Sequence, residues 1–180
     1  MSQPSLFISD LHLDATRPII VDLFFDFLEI TASQASELYI LGDLFEAWIG
    51  DDDESEFNQS IINKLRETAD KGIDLYIMRG NRDFLIDTVF EKASGCKRLD
   101  DPTCINLFNN SVLLMHGDSL CTDDLKYQAI REYVQSDAMR VELMAKTLDE
   151  RREIAKQARQ YSLEATKSNP DSIMDVNEAA

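Results

Sequence analysis

Five residues of types that bind divalent metal ions follow apolar stretches of this sequence. Asp10 and His12 follow SLFIS, Asp43 follows LYIL, Asn81 follows LYIM, and His116 follows VLLM. Carboxylate, imidazole and amide ligands together suit a borderline divalent ion such as Mn²⁺, Zn²⁺ or Fe²⁺. Two such ions about 3.5–4 Å apart can activate a water and neutralise charge on a phosphoryl group during in-line displacement. The sequence therefore predicts a dinuclear site that cleaves a phosphate ester or anhydride.

Each of these residues alone is a weak signal, because a D-x-H pair is common and a lone histidine such as His116 is more often structural. Their joint position is more informative. All of them follow predicted strands, and in open α/β sheets ligands bind at the carboxyl ends of strands. Asp10 and His12 are two residues apart, so in an extended chain both side chains would point the same way.

Arg82 follows the candidate ligand Asn81 directly. Its guanidinium is placed to make a bidentate contact with a phosphate oxygen. The alternative interpretation is a surface ion pair with Asp83.

The apolar periodicity predicts three strand–helix units followed by an antiparallel strand pair. The predicted strands are 5–9, 38–41, 75–78, 104–108 and 111–115, and the predicted helices are 18–30, 57–69 and 84–93. Gly72 and Gly95 are placed to end the second and third helices. Asn109-Asn110 is a two-residue hairpin signal. This order indicates an α/β sheet that starts parallel and ends mixed.

After residue 121 the strand signals disappear and charged residues become dense, so we predict a helical lobe over 122–168. Pro170 follows, and residues 173–180 resemble the start of one more helix. The predicted organisation is therefore a core over 1–121, the lobe, and over 169–180 the start of a return to the core.

The charge is strongly acidic and uneven. The net charge of −16 argues against general nucleic-acid binding, which needs a basic footprint. Residues 1–60 carry a net charge of −12, whereas residues 140–167 carry +2. Three widely spaced cysteines suit reduced thiols in the cytosol. The N-terminus lacks the features of a secretory signal.

The motifs D-x-H, G-D, G-N-R-D and H-G-D, in this order, resemble the calcineurin-like metallophosphoesterase family. Longer strings are similar to the branch of that family that hydrolyses UDP-2,3-diacylglucosamine in lipid A biosynthesis. These strings are LYILGDLFEAWIGDDD (38–53), GNRDFL (80–85), LMHGDSLCTDD (114–124) and IMDVN (173–177). The resemblance spans the whole chain and implies a four-layer αββα sandwich with a helical insertion lobe.

The resemblance also implies a reaction and its residues. Two Mn²⁺ ions would be held by Asp10, His12, Asp43, Asn81 and His116, with Asp43 bridging. Metal-activated water would attack the α-phosphorus and release UMP and 2,3-diacylglucosamine 1-phosphate. The implied catalytic residues are Arg82, Asp43 and His116. The implied substrate contacts are Asn81, Arg82, Asp124, Ser162, Thr166 and Asn169, of which Thr166 and Asn169 depart from the family's Asn and Lys.

In the predicted lobe, apolar residues alternate with basic ones. The apolar residues are Met139, Leu143, Met144, Leu148, Ile154 and Tyr161, and the basic ones are Arg140, Lys146, Arg151, Arg152, Lys156 and Arg159. One interpretation is an amphipathic helical pair packed on the core. The other is an acyl-chain chamber and membrane-facing cap, with basic residues attracted to anionic lipid at roughly 1 kcal/mol each. Because the net charge opposes this attraction, we expect weak, peripheral contact with the cytoplasmic face of the bacterial inner membrane.

By the resemblance, family members continue into a G-H-x-H motif whose histidines complete both metal sites. This chain has two histidines, His12 and His116, and neither lies in such a motif. We therefore expect a C-terminally truncated member, incomplete in its second sheet and weak in activity and stability. Two alternatives stay open: another phosphodiesterase or phosphatase on the same scaffold, and an inactive remnant.

Overall fold

A computed structural model describes residues 3–168, 176–177 and 180. The chain divides into two compact units, with the boundary between His116 and Gly117. Among the described residues, no helix combines the length and apolar character that a membrane crossing requires.

The first unit is built on a four-stranded parallel sheet. Its strands are β1 (Ser5–Ile8), β2 (Glu37–Leu41), β3 (Asp74–Met78) and β4 (Lys97–Leu99), in the order β1-β2-β3-β4. The connecting helices are α1 (Pro18–Asp26), α2 (Glu56–Asp70) and α3 (Thr88–Ser94). Because parallel crossovers are right-handed and the strands follow in sequence order, all three helices lie on one face of the sheet.

The other face of the sheet packs against an antiparallel hairpin. Its strands are β5 (Thr103–Leu107) and β6 (Asn110–Leu114). Tyr39 and Met78 of the parallel sheet form a buried cluster with Leu114 of the hairpin. Since the hairpin forms a sheet of its own, the prediction of one sheet that ends mixed is wrong. The structure instead has two sheets stacked in layers.

The hairpin turn lies one residue earlier than predicted. Phe108 and Asn109 occupy the turn, with φ of 50° and 67°. Two successive positive φ values are typical of a type I′ turn, which matches the twist of the flanking strands. Strand β4 was not predicted, because it is three residues long and two of them are basic.

Helix α1 is shorter than predicted and is followed by a π-helical turn (Phe27–Thr31) and a 3₁₀ turn (Ala32–Gln34). Its apolar face is only partly buried: Phe24 is buried, whereas Ile19 and Leu23 are 73% and 59% exposed. Helix α3 starts four residues later than predicted, after a turn in which the N–H of Ile86 donates to the carbonyl of Asp83.

The second unit is helical, in the stretch where the sequence predicts a lobe. It contains a 3₁₀ turn (Asp118–Leu120) and the helices α4 (Leu125–Val134), α5 (Asp137–Met144) and α6 (Leu148–Ser168). The helix predicted over 173–180 lies largely outside the described residues.

Candidate metal centre

The segments that follow β1 and β2 run side by side beyond the ends of the strands. The N–H of Asp10 donates to the carbonyl of Gly42 at 3.1 Å, and the N–H of His12 donates to the carbonyl of Asp43 at 3.0 Å. These hydrogen bonds extend the contact between the two chain segments. They place the D-x-H motif directly beside the Gly-Asp motif.

Three candidate ligands have a left-handed backbone. The φ angles of Asp10, His12 and Asp43 are 56°, 48° and 52°. This region costs a residue with a side chain roughly 1–2 kcal/mol, and such strain is typical of functional sites. The extended conformation expected for Asp10 and His12 is therefore wrong, although their side chains do meet.

The side chains of these three residues converge. His12 Nε2 lies 4.0 Å from Asp10 Oδ1 and 3.8 Å from Asp43 Oδ2. One ligand atom from each residue lies within 4.8 Å of the other two. Two carboxylates and an imidazole at this spacing are a donor set that fits a divalent cation.

His116 approaches Asp43 from the other side of the carboxylate. Its Nε2 lies 3.9 Å from Asp43 Oδ1, whereas His12 is nearest to Oδ2. His116 Nδ1 lies 2.9 Å from the carbonyl oxygen of Leu41. Since a carbonyl can only accept, this contact assigns the proton to Nδ1 and leaves Nε2 facing Asp43. The two oxygens of Asp43 thus face two different histidines.

Asp43 is almost inaccessible to solvent, and its pKa is raised to about 6. Burial is the largest cause and the neighbouring carboxylate of Asp83 adds to it, whereas the N–H of Arg82 and both histidines lower the pKa in part. The Arg82 N–H donates to Asp43 Oδ1 at 2.9 Å. A divalent cation would stabilise the ionised carboxylate, so the electrostatics also fit a metal site.

Asp83 is fully buried and joins the segments that follow β2 and β3. One of its oxygens accepts from the N–H of Gly80 at 2.7 Å and the other from the N–H of Leu44 at 2.8 Å. Burial raises the pKa of this carboxyl group, and the backbone donors lower it. The alternative interpretation of Asp83 as part of a surface ion pair with Arg82 is therefore wrong.

The G-N-R-D segment is also fixed through its backbone. The carbonyl of Arg82 accepts from the N–H of Trp48 at 2.9 Å. Asn81, between Gly80 and Arg82, is half-buried at the same edge of the sheet. The roles of Asn81 as a ligand and of Arg82 as a phosphate contact stay predictions.

Asp51 of the WIGDDD string has a structural role that the sequence did not indicate. Its carboxylate accepts from Trp48 Nε1 at 3.0 Å and from the backbone N–H groups of Asp87 and Phe90 at 3.1 and 2.9 Å. Asp51 therefore joins the start of α3 to Trp48, whose backbone N–H donates to the carbonyl of Arg82.

Four of the six predicted substrate contacts lie in the second unit, and the other two, Asn81 and Arg82, lie in the first. Asp124 caps α4 by accepting from the N–H of Tyr127 at 3.0 Å, and Ser162 is half-buried in α6. Asn169 and the side chain of Thr166 lie outside the described residues. All four stay predictions as substrate contacts.

Asp118 of the H-G-D motif anchors α4. Its carboxylate accepts from Arg131 Nε and from the Tyr127 hydroxyl, both at 2.8 Å.

One of the basic residues predicted for a membrane-facing surface, Arg151, is not at the surface of this unit. Arg151 is buried, with Nη1 3.5 Å from the sulfur of Met144, and so does not contribute to a basic surface.

Comparison with known proteins gives consistent results. A model of the family described as calcineurin-like phosphoesterase matches residues 4–166. A protein of Marinobacter nauticus is 45% identical over 96% of this chain and 70% of its own length. Proteins of Pseudomonas paraeruginosa and Chromohalobacter salexigens are 47% and 45% identical, over 95% and 97% of this chain and 71% of their own lengths. All three are named UDP-2,3-diacylglucosamine hydrolase.

Proposed function

Because the chain belongs to the calcineurin-like phosphoesterase family, we propose that it is a metal-dependent hydrolase that cleaves the pyrophosphate bond of UDP-2,3-diacylglucosamine. The names of the relatives support this substrate. The observation that carries the proposal is the position of the Asp43 carboxylate, with one oxygen towards His12 and the other towards His116. That arrangement suits a carboxylate that bridges two cations.

Under this proposal, Asp10 and His12 would hold one Mn²⁺, Asn81 and His116 would hold the other, and Asp43 would be shared. When bound, two such ions activate a water and neutralise charge on the phosphoryl group. Asp83 keeps this arrangement rigid, because its backbone contacts join the segments that carry Asp43 and Asn81.

Arg82 is the residue that we assign to the substrate's phosphate. Its backbone is fixed on both sides, because its N–H donates to the Asp43 carboxylate and its carbonyl accepts from the N–H of Trp48. This fixes the Cα from which the guanidinium extends, and a guanidinium at this place can stabilise charge on a phosphate oxygen. Water attacks the α-phosphorus, and the products are UMP and 2,3-diacylglucosamine 1-phosphate.

We further propose that the helical unit binds the acyl chains and contacts the cytoplasmic face of the inner membrane. Its described part exposes large apolar side chains, among them Leu125, Val141 and Tyr161 at 76%, 70% and 57%. These side chains, one on each of the three helices, are available for contact with acyl chains.

The test is hydrolysis of UDP-2,3-diacylglucosamine in ¹⁸O-labelled water, with Mn²⁺ or with a chelator. We expect turnover only with metal, and the label in UMP. Label in 2,3-diacylglucosamine 1-phosphate would contradict attack at the α-phosphorus. Cleavage of bis-p-nitrophenyl phosphate without cleavage of the lipid nucleotide would favour a general phosphodiesterase instead.

A further inference from the structure

We propose that Glu46 is a positioning residue, which fixes the imidazole of His12 with Nε2 towards the metal centre. This inference rests on the proposed metal centre and adds to it a residue that does not itself bind a metal. Metal-binding histidines usually donate their second ring N–H to a carboxylate or carbonyl, which sets both tautomer and ring orientation.

The two ring nitrogens of His12 face different carboxylates. Nε2 lies 3.8 and 4.0 Å from the carboxylates of Asp43 and Asp10, whereas Nδ1 lies 3.5 Å from Glu46 Oε2. Nδ1 is buried, and no hydrogen bond of standard geometry reaches it from the described residues. Contacts of this kind are often long in a ligand-free site and tighten in the loaded one. We therefore infer that Nδ1 carries the proton and that Glu46 accepts it.

The backbone holds Glu46 at this place. Its N–H donates to the carbonyl of Leu13 at 3.0 Å, and the N–H of Leu13 donates to the carbonyl of Leu44 at 2.8 Å. Leu13 and Phe45 also form an isolated parallel bridge. The residue after His12 is thus bonded to the residues on both sides of Phe45, and the Glu46 side chain is only 20% exposed.

His116 uses the same arrangement with a different acceptor. Its Nδ1 contacts the carbonyl of Leu41 at 2.9 Å, and its Nε2 faces Asp43 at 3.9 Å. In both histidines Nε2 points to Asp43 and Nδ1 points to an acceptor. The acceptor is the Glu46 carboxylate for His12 and the Leu41 carbonyl for His116.

The first measurement is the tautomer of the metal-free protein, by ¹⁵N NMR with labelled histidine at a pH well above the ordinary histidine pKa of about 6.5. The chain has two histidines, so His116 is an internal reference. In the wild type we expect His12 to carry its proton on Nδ1. Glu46→Ala should move the His12 population towards the Nε2–H tautomer, whereas Glu46→Gln, which retains an acceptor oxygen, should keep the wild-type tautomer. The His116 signals should not change.

The second measurement is Mn²⁺ affinity by EPR titration. Loss of such a partner typically lowers metal affinity about 10- to 100-fold. We expect that loss for Glu46→Ala and a smaller one for Glu46→Gln. Glu54→Ala removes an exposed carboxylate eight residues away and should bind Mn²⁺ like the wild type.

Two outcomes would overturn the inference. One is an unchanged His12 tautomer and unchanged affinity in Glu46→Ala. The other is an equal loss of affinity in Glu46→Ala and Glu54→Ala without a tautomer change, which would show a general charge effect. If Glu46→Ala shifts the His12 tautomer as expected but the wild type binds no Mn²⁺, the proposed function is contradicted and the orienting role of Glu46 stands.

Discussion

The backbone of Gly80 lies directly against the carboxylate of Asp43. A Cβ atom at Gly80 would stand 2.1 Å from Asp43 Oδ1 and 2.5 Å from the backbone nitrogen of Asp43. Gly80 does not have a positive φ, so this glycine is required by space and not by backbone conformation. The strand ends after β2 and β3 can approach this closely only if position 80 lacks a side chain.

We therefore predict that Gly80→Ala displaces the Asp43 carboxylate and weakens Mn²⁺ binding at least tenfold, in line with the effect of disturbing a ligand's support. Gly72→Ala is the matched control. Gly72 has a φ of 92° and no atom within 4 Å of an added Cβ. It should lose roughly 1 kcal/mol of stability through backbone strain and keep its metal affinity. Wild-type Mn²⁺ affinity in Gly80→Ala would show that the contact is not important for the site.

A second prediction concerns the bridging role of Asp43. Its two oxygens face different histidines, so Asp43→Ala should weaken both metal sites, whereas Asn81→Ala should weaken mainly one. Mn²⁺ titration by calorimetry or EPR measures the number of sites and their affinities. Equal binding by the wild type and Asp43→Ala would rule out a bridge.

The buried charge of Asp43 also predicts a pH dependence in the metal-free protein. The pKa of Asp43 is raised from 3.8 to about 6, mainly by burial and also by the nearby carboxylate of Asp83. The folded state therefore binds this proton more tightly than the unfolded state, and ionised Asp43 destabilises the fold above about pH 6. The metal-free Asp43→Asn protein should thus melt at a higher temperature than the wild type at about pH 8. That difference should shrink as the pH falls towards about 5. A difference that is constant with pH would contradict this account.

The proximity of the candidate ligands could be predicted from the sequence, because the carboxyl ends of parallel strands lie at the same edge of the sheet. The apolar periodicity located β1, β2 and β3 and hence the segments that carry Asp10, Asp43 and Asn81. The pattern did not indicate the left-handed backbone of Asp10 and His12. That conformation depends on hydrogen bonds to Gly42 and Asp43, about thirty residues away, which no local pattern reports.

Two carboxylates near the candidate ligands, Asp83 and Glu46, have contacts that the sequence did not indicate. A surface ion pair with Asp83 was the alternative interpretation of Arg82. Asp83 is instead fully buried, because backbone N–H groups from two segments need an acceptor there. Glu46 carried no signal either, since its contact with His12 arises only when the segments after β1 and β2 align.

The third residue to test is Arg82. We predict that Arg82→Ala lowers kcat about 10²-fold, the effect of losing one preorganised charge donor, with little change in melting temperature. Arg98→Ala is the matched control, since Arg98 pairs with Asp87 at 2.9 Å and with Glu91 at 3.4 Å. It should lose about 1 kcal/mol of stability and keep its kcat. A destabilised Arg82→Ala protein with wild-type kcat per folded molecule would assign Arg82 a structural role.

The last prediction separates two apolar residues of α5, of which the sequence analysis named only Leu143. Leu143 is buried at 4% exposure, whereas Val141, two residues earlier, is 70% exposed. Aspartate at position 143 would place a charge inside the helical unit, which costs several kcal/mol. Any loss of activity in Leu143→Asp would therefore report unfolding. Val141→Asp changes only the surface and can test lipid binding.

We expect Val141→Asp, combined with Leu125→Asp at another exposed position, to leave the melting temperature nearly unchanged. If this surface binds acyl chains, the double variant should raise KM for UDP-2,3-diacylglucosamine at least tenfold, since full burial of even one apolar side chain contributes roughly 1.5–3 kcal/mol and about 1.4 kcal/mol corresponds to a factor of ten. Its hydrolysis of bis-p-nitrophenyl phosphate should match that of the wild type, because that substrate has no acyl chain. Equal losses on both substrates would show that these residues support the fold of the helical unit and do not contact lipid.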